Sequence, residues 1–224
     1  MLSVVIPTLN AATSLPATLH AVAASDGLVS EIVVSDGGSS DQTVTLAQTA
    51  GCRVISGPRG RGAQLAAGAA SACGEWLLFL HSDTQLEAGW PAAVRAFCAA
   101  PENRERAGYF RFALADAVPA ARRLEALVHW RCRALALPYG DQGLVIRAAT
   151  YRALGGFASL PLMEDVDLVR RLGRARLVEL PATAVTSAAR YRRGGYLARP
   201  LRNLACLGLY FAGLPPRHLQ KLYG

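Results

Sequence analysis

Residues Leu77-Leu78-Phe79-Leu80-His81-Ser82-Asp83-Thr84, "LLFLHSDT", join four apolar side chains to a polar cluster holding one carboxylate. A short apolar run ended by polar residues suits a strand buried on both faces, as in parallel sheets. The expected strand, Glu75 to Leu80, delivers Asp83 to a sheet edge. Earlier segments repeat the pattern. Leu2-Ser3-Val4-Val5-Ile6 is a buried strand stopped by Pro7. Glu31-Ile32-Val33-Val34-Ser35 is a second, ending at Asp36-Gly37-Gly38-Ser39-Ser40. Cys52 to Ile55 is a third, followed by Gly57-Pro58-Arg59-Gly60-Arg61-Gly62. Helices fall between them. One runs to about Ala24 with Thr13 or Ser14 as its cap, and one runs from Asp41 as N-cap to about Ala50. A small-residue helix then reaches about Ala72. Strands alternating with helices predict βαβ units, an α/β fold with a mostly parallel central sheet flanked by helices.

The second half is less regular. Helices are expected at Trp90–Ala99, Pro119–Leu135 and Glu164–Gly173, and strands at Gly108–Ala115, Leu144–Arg147, Arg176–Leu180 and Ala182–Ser187. A basic, apolar helix is expected from Gly195 to Gly213. No linker divides the 224 residues, so they are read as a single domain.

Charge narrows the ligand classes. The net charge is +8, and of 24 basic residues only Lys221 is lysine. Arginine binds phosphate or carboxylate in a fork. Five cysteines, an odd count without C-x-x-C, exclude a disulfide framework and a zinc site. Reduced thiols and a cytoplasmic location are expected. The first apolar run lacks a basic start and a cleavage site, so no secretory signal is expected. The apolar run Leu204–Leu214 is too short to cross a bilayer.

Ligands of an open parallel sheet bind beyond the carboxyl ends of its strands. Four polar clusters fall there: Pro7-Thr8-Leu9-Asn10, Asp36 to Asp41, the Gly57–Gly62 loop, and His81-Ser82-Asp83. No G-x-G-x-x-G follows the first strand and no G-x-x-x-x-G-K-[ST] occurs, so dinucleotide and P-loop fingerprints are missing. The glycine-arginine loop could cradle an anion through its amides and arginines, or be a surface turn.

The order Pro7-x-Leu9-Asn10, Asp36-Gly37-Gly38-Ser39-x-Asp41, His81-Ser82-Asp83 and Glu164-Asp165 resembles the family 2 glycosyltransferases of GT-A fold. It looks closest to the bacterial "transferase 2" subgroup associated with radical-SAM/selenodomain proteins. The resemblance implies a metal-dependent, inverting transfer of a sugar from a nucleotide-diphosphate donor, a UDP- or GDP-sugar. Residues 1–100 would form the nucleotide-binding half. Residues 101–224 would form the acceptor half.

Residue by residue, the resemblance makes Asp83 the ligand of Mg2+ or Mn2+, which prefers oxygen donors. It makes Asp165 the general base, with Glu164 orienting a loop or contacting the acceptor. Pro7, Leu9, Asn10, Asp36, Gly62, His81 and Ser82 would bind the nucleotide. Arg59, Arg190, Arg192 and Arg193 would hold the diphosphate, the last three on a mobile lid. Asp141 and Gln142, in Gly140-Asp141-Gln142-Gly143, would bind hydroxyls of sugar or acceptor. The chain also departs from the family pattern. His81 replaces an acid, Ala11 and Ser35 replace two more, and the lid lacks its tryptophan.

Two other classes share some of these features. A nucleotidyltransferase carries a glycine-rich basic loop straight after its first strand, and Pro7-Thr8-Leu9-Asn10 is not one. A nucleic-acid or nucleotide binder suits the charge, but Asp36, Asp83 and Asp165 would repel a polyanion, so no nucleic-acid partner is expected. The C-terminal helix carries leucines beside Arg199 and Arg202. It could lie on anionic lipid near a lipid-linked acceptor, or pack on the core or a dimer partner. Packing is the preferred reading.

Overall fold

The computed structural model describes residues 1–223, and its first element is a central strand, β1 (Leu2–Thr8), buried at every residue. There follow α1 (Leu15–Ala23), β2 (Val29–Asp36), α2 (Thr43–Thr49), β3 (Arg53–Ser56), α3 (Arg61–Ser71) and β4 (Trp76–Phe79). The chain continues through β5 (Thr84–Leu86), α4 (Trp90–Ala99), β6 (Ala107–Leu114), α5 (Pro119–Leu135) and β7 (Leu144–Arg147). It ends with α6 (Ala148–Ala153), α7 (Glu164–Leu172), β8 (Leu177–Thr186), α8 (Ala189–Gly194), α9 (Ala198–Phe211) and α10 (Pro216–Tyr223).

The strands form one sheet in the order β3-β2-β1-β4-β7-β6-β8-β5. Strands β1 to β4 are mutually parallel. Strand β7 runs antiparallel to both neighbours, and β6 and β8 are parallel. The sheet is therefore mostly parallel, as the apolar, unalternating strands predict. It runs through both halves of the chain.

Period-two alternation divides the core into two layers. Val4, Ile6, Leu78 and Leu80 face one way, onto Leu15, Leu19 and Trp90. Val5, Leu77 and Phe79 face the other, onto Leu65, Tyr151 and Leu168. Each fully buried side chain of this kind is worth about 1.5–3 kcal/mol of transfer free energy. Trp76 and Trp90 belong to the first layer, whereas Trp130 stands 59% exposed on α5.

Several local expectations need correction. Pro7 does not stop β1, which continues to Thr8. Val5 accepts from Leu80 N, so Pro7 turns the same way, beyond the last β1–β4 pair, where its missing N–H breaks no ladder bond. Ser14 does not cap α1; its hydroxyl donates to Ala11 O instead. Asp41 sits two residues before α2, and its Oδ1 accepts from Thr43 N at 3.0 Å.

The two expected late strands are one, with Pro181 at a register shift against β6. Strand β5 and helix α6 carry too few residues to show a period. The lid loop expected over Arg190–Gly195 is instead helix α8 up to Gly194, and α9 starts only at Ala198. Helix α9 does pack on the core, but through one stripe: Cys206 and Leu207 are buried beside Val166 and Leu219.

Candidate functional site

Strand order reverses at β1, with β2 on one side and β4 on the other. Such a switch point opens a crevice beyond the strand ends. Its floor is built by a dense polar turn. Asp36 Oδ1 accepts from Thr8 Oγ1 (2.8 Å) and Ser39 Oγ (2.5 Å). Its Oδ2 accepts from Gly38 N (2.9 Å) and Ser39 N (2.8 Å). Burial opposes ionisation of Asp36, but the Ser39, Thr8 and Gly38 donors outweigh it and hold the carboxyl below its ordinary range.

Four donors fill the acceptor sites of this carboxylate. Asp36, expected among the nucleotide-binding residues, therefore builds the turn in this structure. Asn10 belongs to the same turn: its Oδ1 accepts from Ser40 N at 2.8 Å, and its φ is +51°. Leu9 is 36% exposed beside it, while Pro7 is buried beneath. Gln64, absent from the expected site, ties the two strand ends together by donating to Thr8 O (2.6 Å) and Ser35 O (2.9 Å).

Beyond β4 lies a cavity of about 430 Å³. Its polar end gathers Arg61, His81, Asp83, Asp141, Asp165 and Arg190. These come from the β4 end, the start of α3, the Gly140 turn, the start of α7 and α8, and sequence distance of over a hundred residues is closed here. Asp165 is held from two sides, Oδ2 accepting from Gly140 N and Oδ1 from Val166 N, both at 2.8 Å. Gly140 has no room for a side chain. A Cβ there would lie 2.6 Å from His81 Nε2 and 3.5 Å from Asp165 Oδ2. The turn glycine thus sets the approach of the loop to both groups.

His81 Nε2 is buried with no hydrogen-bond partner. Burial, with the positive charges of Arg61 and Arg190, pushes the imidazole well below its ordinary pKa and keeps it neutral. Asp141 Oδ1 is likewise buried without a donor. Burial raises Asp141 to about 6; the charges of Asp165 and Asp83 add to the rise, and Arg131 and Arg61 oppose it.

No group of three or more His, Cys, Asp or Glu in a metal-holding arrangement occurs among the described residues. A hard divalent cation nevertheless fits this end. Asp83 supplies an oxygen donor, the buried Asp141 Oδ1 has no donor, and the charges of Asp83 and Asp165 both bear on Asp141.

The arginines are sorted differently from expectation. Arg59 is exposed and lies off the cavity, whereas Arg61, two residues on, lines it. Arg61 Nε donates to Glu164 Oε1. Glu164 is fully buried, and its Oε2 has no partner. Burial raises its pKa, partly offset by the Arg61 charge. Glu164 therefore anchors Arg61 from below and is closed to an acceptor. Gly62 is packed inside the first turn of α3, where a Cβ would collide with the Ala158 carbonyl oxygen, so its role is clearance.

Arg190 does line the cavity. Arg192 does not: its Nε donates to Asp116 Oδ2 at 2.7 Å, and Tyr196 Oη donates to the same oxygen at 2.5 Å. Arg193 is exposed outside the cavity lining, its Nε donating weakly to Ala189 O. Gln142 is buried and spent internally, accepting from Arg131 Nη2 (3.2 Å) and donating to Phe110 O (3.1 Å). It shapes the turn and cannot meet a sugar hydroxyl. Ser82 is tied through its carbonyl to Thr18 Oγ1 at 3.0 Å, also outside the cavity lining.

Comparison with known proteins bears on this arrangement. The model of glycosyl transferase family 2 matches residues 3–103. That span covers β1 to β4 and the Asp36 and Asp83 turns. A "PGL/p-HBAD biosynthesis glycosyltransferase" of Mycobacterium bovis is 40% identical over 105 residues, 43% of this chain and 41% of that protein. A protein of the same name from Mycobacterium tuberculosis matches equally. The match thus spans about two fifths of these curated relatives.

Among solved structures, glucosyl-3-phosphoglycerate synthase from Mycobacterium tuberculosis, in complex with Mn2+, UDP and glucosyl-3-phosphoglycerate, superposes with a TM-score of 0.56. It is 22% identical and covers 84% of this chain and 70% of its own. S. aureus TarS 1-349 in complex with UDP gives a TM-score of 0.61 at 18% identity, covering 99% of this chain and 69% of its own. The fold is the GT-A fold. The fold class expected from the strand pattern and the resemblance, a mostly parallel sheet flanked by helices, is the one observed.

Proposed function

We propose that this protein is a metal-assisted, inverting glycosyltransferase that moves a sugar from a nucleotide-diphosphate donor to an acceptor hydroxyl. One observation carries the reading: a single cavity at the β4 end holds Asp83, Asp141 and Asp165 facing Arg61 and Arg190. Carboxylates for a cation and a base, opposite arginines for a diphosphate, are what such a transfer needs. The family match over residues 3–103 supports it.

Asp165 is the base. The Gly140 amide orients its carboxylate, which takes the acceptor proton as the new glycosidic bond forms. Arg61 and Arg190 stabilise charge on the departing diphosphate, and Glu164 holds Arg61 at the cavity wall. Asp83, with Asp141 beside it, would hold Mg2+ or Mn2+, a Lewis acid that neutralises diphosphate charge. His81, neutral at ordinary pH, offers a hydrogen bond to sugar or ribose where a second acid would add repulsion.

Placement in the radical-SAM/selenodomain-associated subgroup and a cytoplasmic location belong to the same proposal. The motif order supports the first. The second is supported by five free thiols, which suit a reducing compartment. The donor is proposed to be a UDP- or GDP-sugar. A thermal-shift panel of UDP-, GDP-, CDP- and dTDP-sugars with and without Mn2+ tests the reading. A metal-dependent rise in Tm with one nucleotide, lost in Asp83→Asn, is expected. No response to any nucleotide, or an Asp83→Asn variant as responsive as wild type, refutes it.

A further inference from the structure

The cavity does not end at its carboxylates. It continues without a dividing wall between α5 and α9, where it is lined by Leu127, Trp130, Leu135, Leu197, Leu201 and Leu204. All six are exposed, from 48% at Leu135 to 80% at Leu197. They are six of the twelve large exposed hydrophobics among the described residues, gathered on one concave surface. Scattered exposed leucines mean little, but a contiguous patch of this kind marks a binding surface.

Helix α9 makes the point internally. Its Cys206 and Leu207 are buried in the core, while Leu201 and Leu204 are left uncovered toward the cavity. The apolar stripe is thus wider than packing uses. A fully polar acceptor would leave most of this leucine-lined surface in water. The cavity volume also suits a small-molecule site.

We propose that this apolar arm is the acceptor subsite, and that it takes an alcohol or phenol carried on an alkyl or aryl body. The inference rests on the transferase reading above and specifies its acceptor. The hydroxyl head reaches Asp165 at the polar end while the apolar body lies along α5 and α9. The acceptor O–H proton passes to the Asp165 carboxylate and the acceptor oxygen bonds to the anomeric carbon. The bond from that carbon to phosphate oxygen breaks, and its electron pair leaves with the nucleoside diphosphate. Continuity of one cavity from Asp165 to Leu201 favours this occupant over a second copy of the chain or a bilayer surface.

The test uses hexyl, octyl and decyl β-glucosides below their micelle concentrations, titrated against Trp130 fluorescence and by calorimetry. Affinity should tighten about fourfold per added methylene, the value of a buried CH2. The exposed-site variants Leu201→Asp and Leu204→Asp combined, and separately Leu127→Asp, should weaken decyl glucoside at least tenfold. Both should keep the wild-type response to the donor nucleotide.

Affinity independent of chain length, or unchanged in both variants, overturns the proposal. So does a wild-type dimer that Leu201→Asp dissociates, because a second copy then covers the surface. Binding to anionic vesicles without binding to monomeric glucosides overturns it in favour of a membrane face. Chain-length-dependent binding in a protein that ignores every nucleotide diphosphate overturns the acceptor assignment through the transferase reading, and leaves an amphiphile-binding cavity.

Discussion

Replacing Arg61 with alanine separates anchoring from chemistry, because the effect on stability needs no substrate. Glu164 is fully buried, its Oε1 accepts from Arg61, and its Oε2 has no partner. Removing the guanidinium strands a carboxylate in the interior. Breaking a buried pair from one side costs about 3–5 kcal/mol. The Arg61 side chain keeps 28% of its surface, so the lower end, about 3 kcal/mol, applies.

At roughly 2–4 °C per kcal/mol for a domain of this size, Tm should fall by about 6–12 °C at pH 8. The sign with pH follows from the direction of the shift. Glu164 has a raised pKa in the folded state, and more so without Arg61. Its charge penalty is absent below the ordinary carboxyl range, where both states are protonated. The penalty grows as pH rises through that range to the folded pKa. The loss should therefore shrink toward pH 5. Adding Glu164→Gln should recover most of it at pH 8, since an amide carries no charge to strand. Calorimetric melts of the three variants at both pH values provide the measurement. A single variant within 1 °C of wild type at pH 8, or a loss of equal size at pH 5 and pH 8, refutes the buried-pair reasoning.

Other consequences follow from the same geometry. Asp165→Asn should retain the metal-dependent donor response and lose transfer by about 10²–10⁴-fold, the usual worth of a general base; single-turnover sugar transfer beside calorimetric donor binding checks it, and wild-type turnover removes Asp165 from the reaction. Gly62→Ala drives a methyl group into the Ala158 carbonyl, a backbone atom that cannot rotate away. It should cost about 1–3 kcal/mol in urea melts, and an unchanged midpoint would mean the α3 start moves freely.

Much of the architecture was readable along the chain. Apolar runs ending at Asp36 and Asp83 mark strands that end at the crevice, and α4, α5 and β7 lie where their patterns place them. Asp83 and Asp165, 82 residues apart, could be paired only through the resemblance, and the fold does bring both into one cavity. Arg59 and Arg61 are chemically identical neighbours in a glycine-rich loop. Only the start of α3 turns one into the cavity and leaves the other in solvent.

Local composition specifies period, turn chemistry and the residue types available at a strand end, because those depend on neighbours within a few residues. It does not specify which polar atoms are already spent. Arg192 is taken by Asp116, 76 residues away, and Gln142 by Phe110 and Arg131. Asp36 is consumed by its own turn and by Thr8 from the neighbouring strand. The leucines of α9 likewise look alike in sequence. Whether each meets core or cavity depends on where α5 and α7 lie, and that is decided by long-range packing.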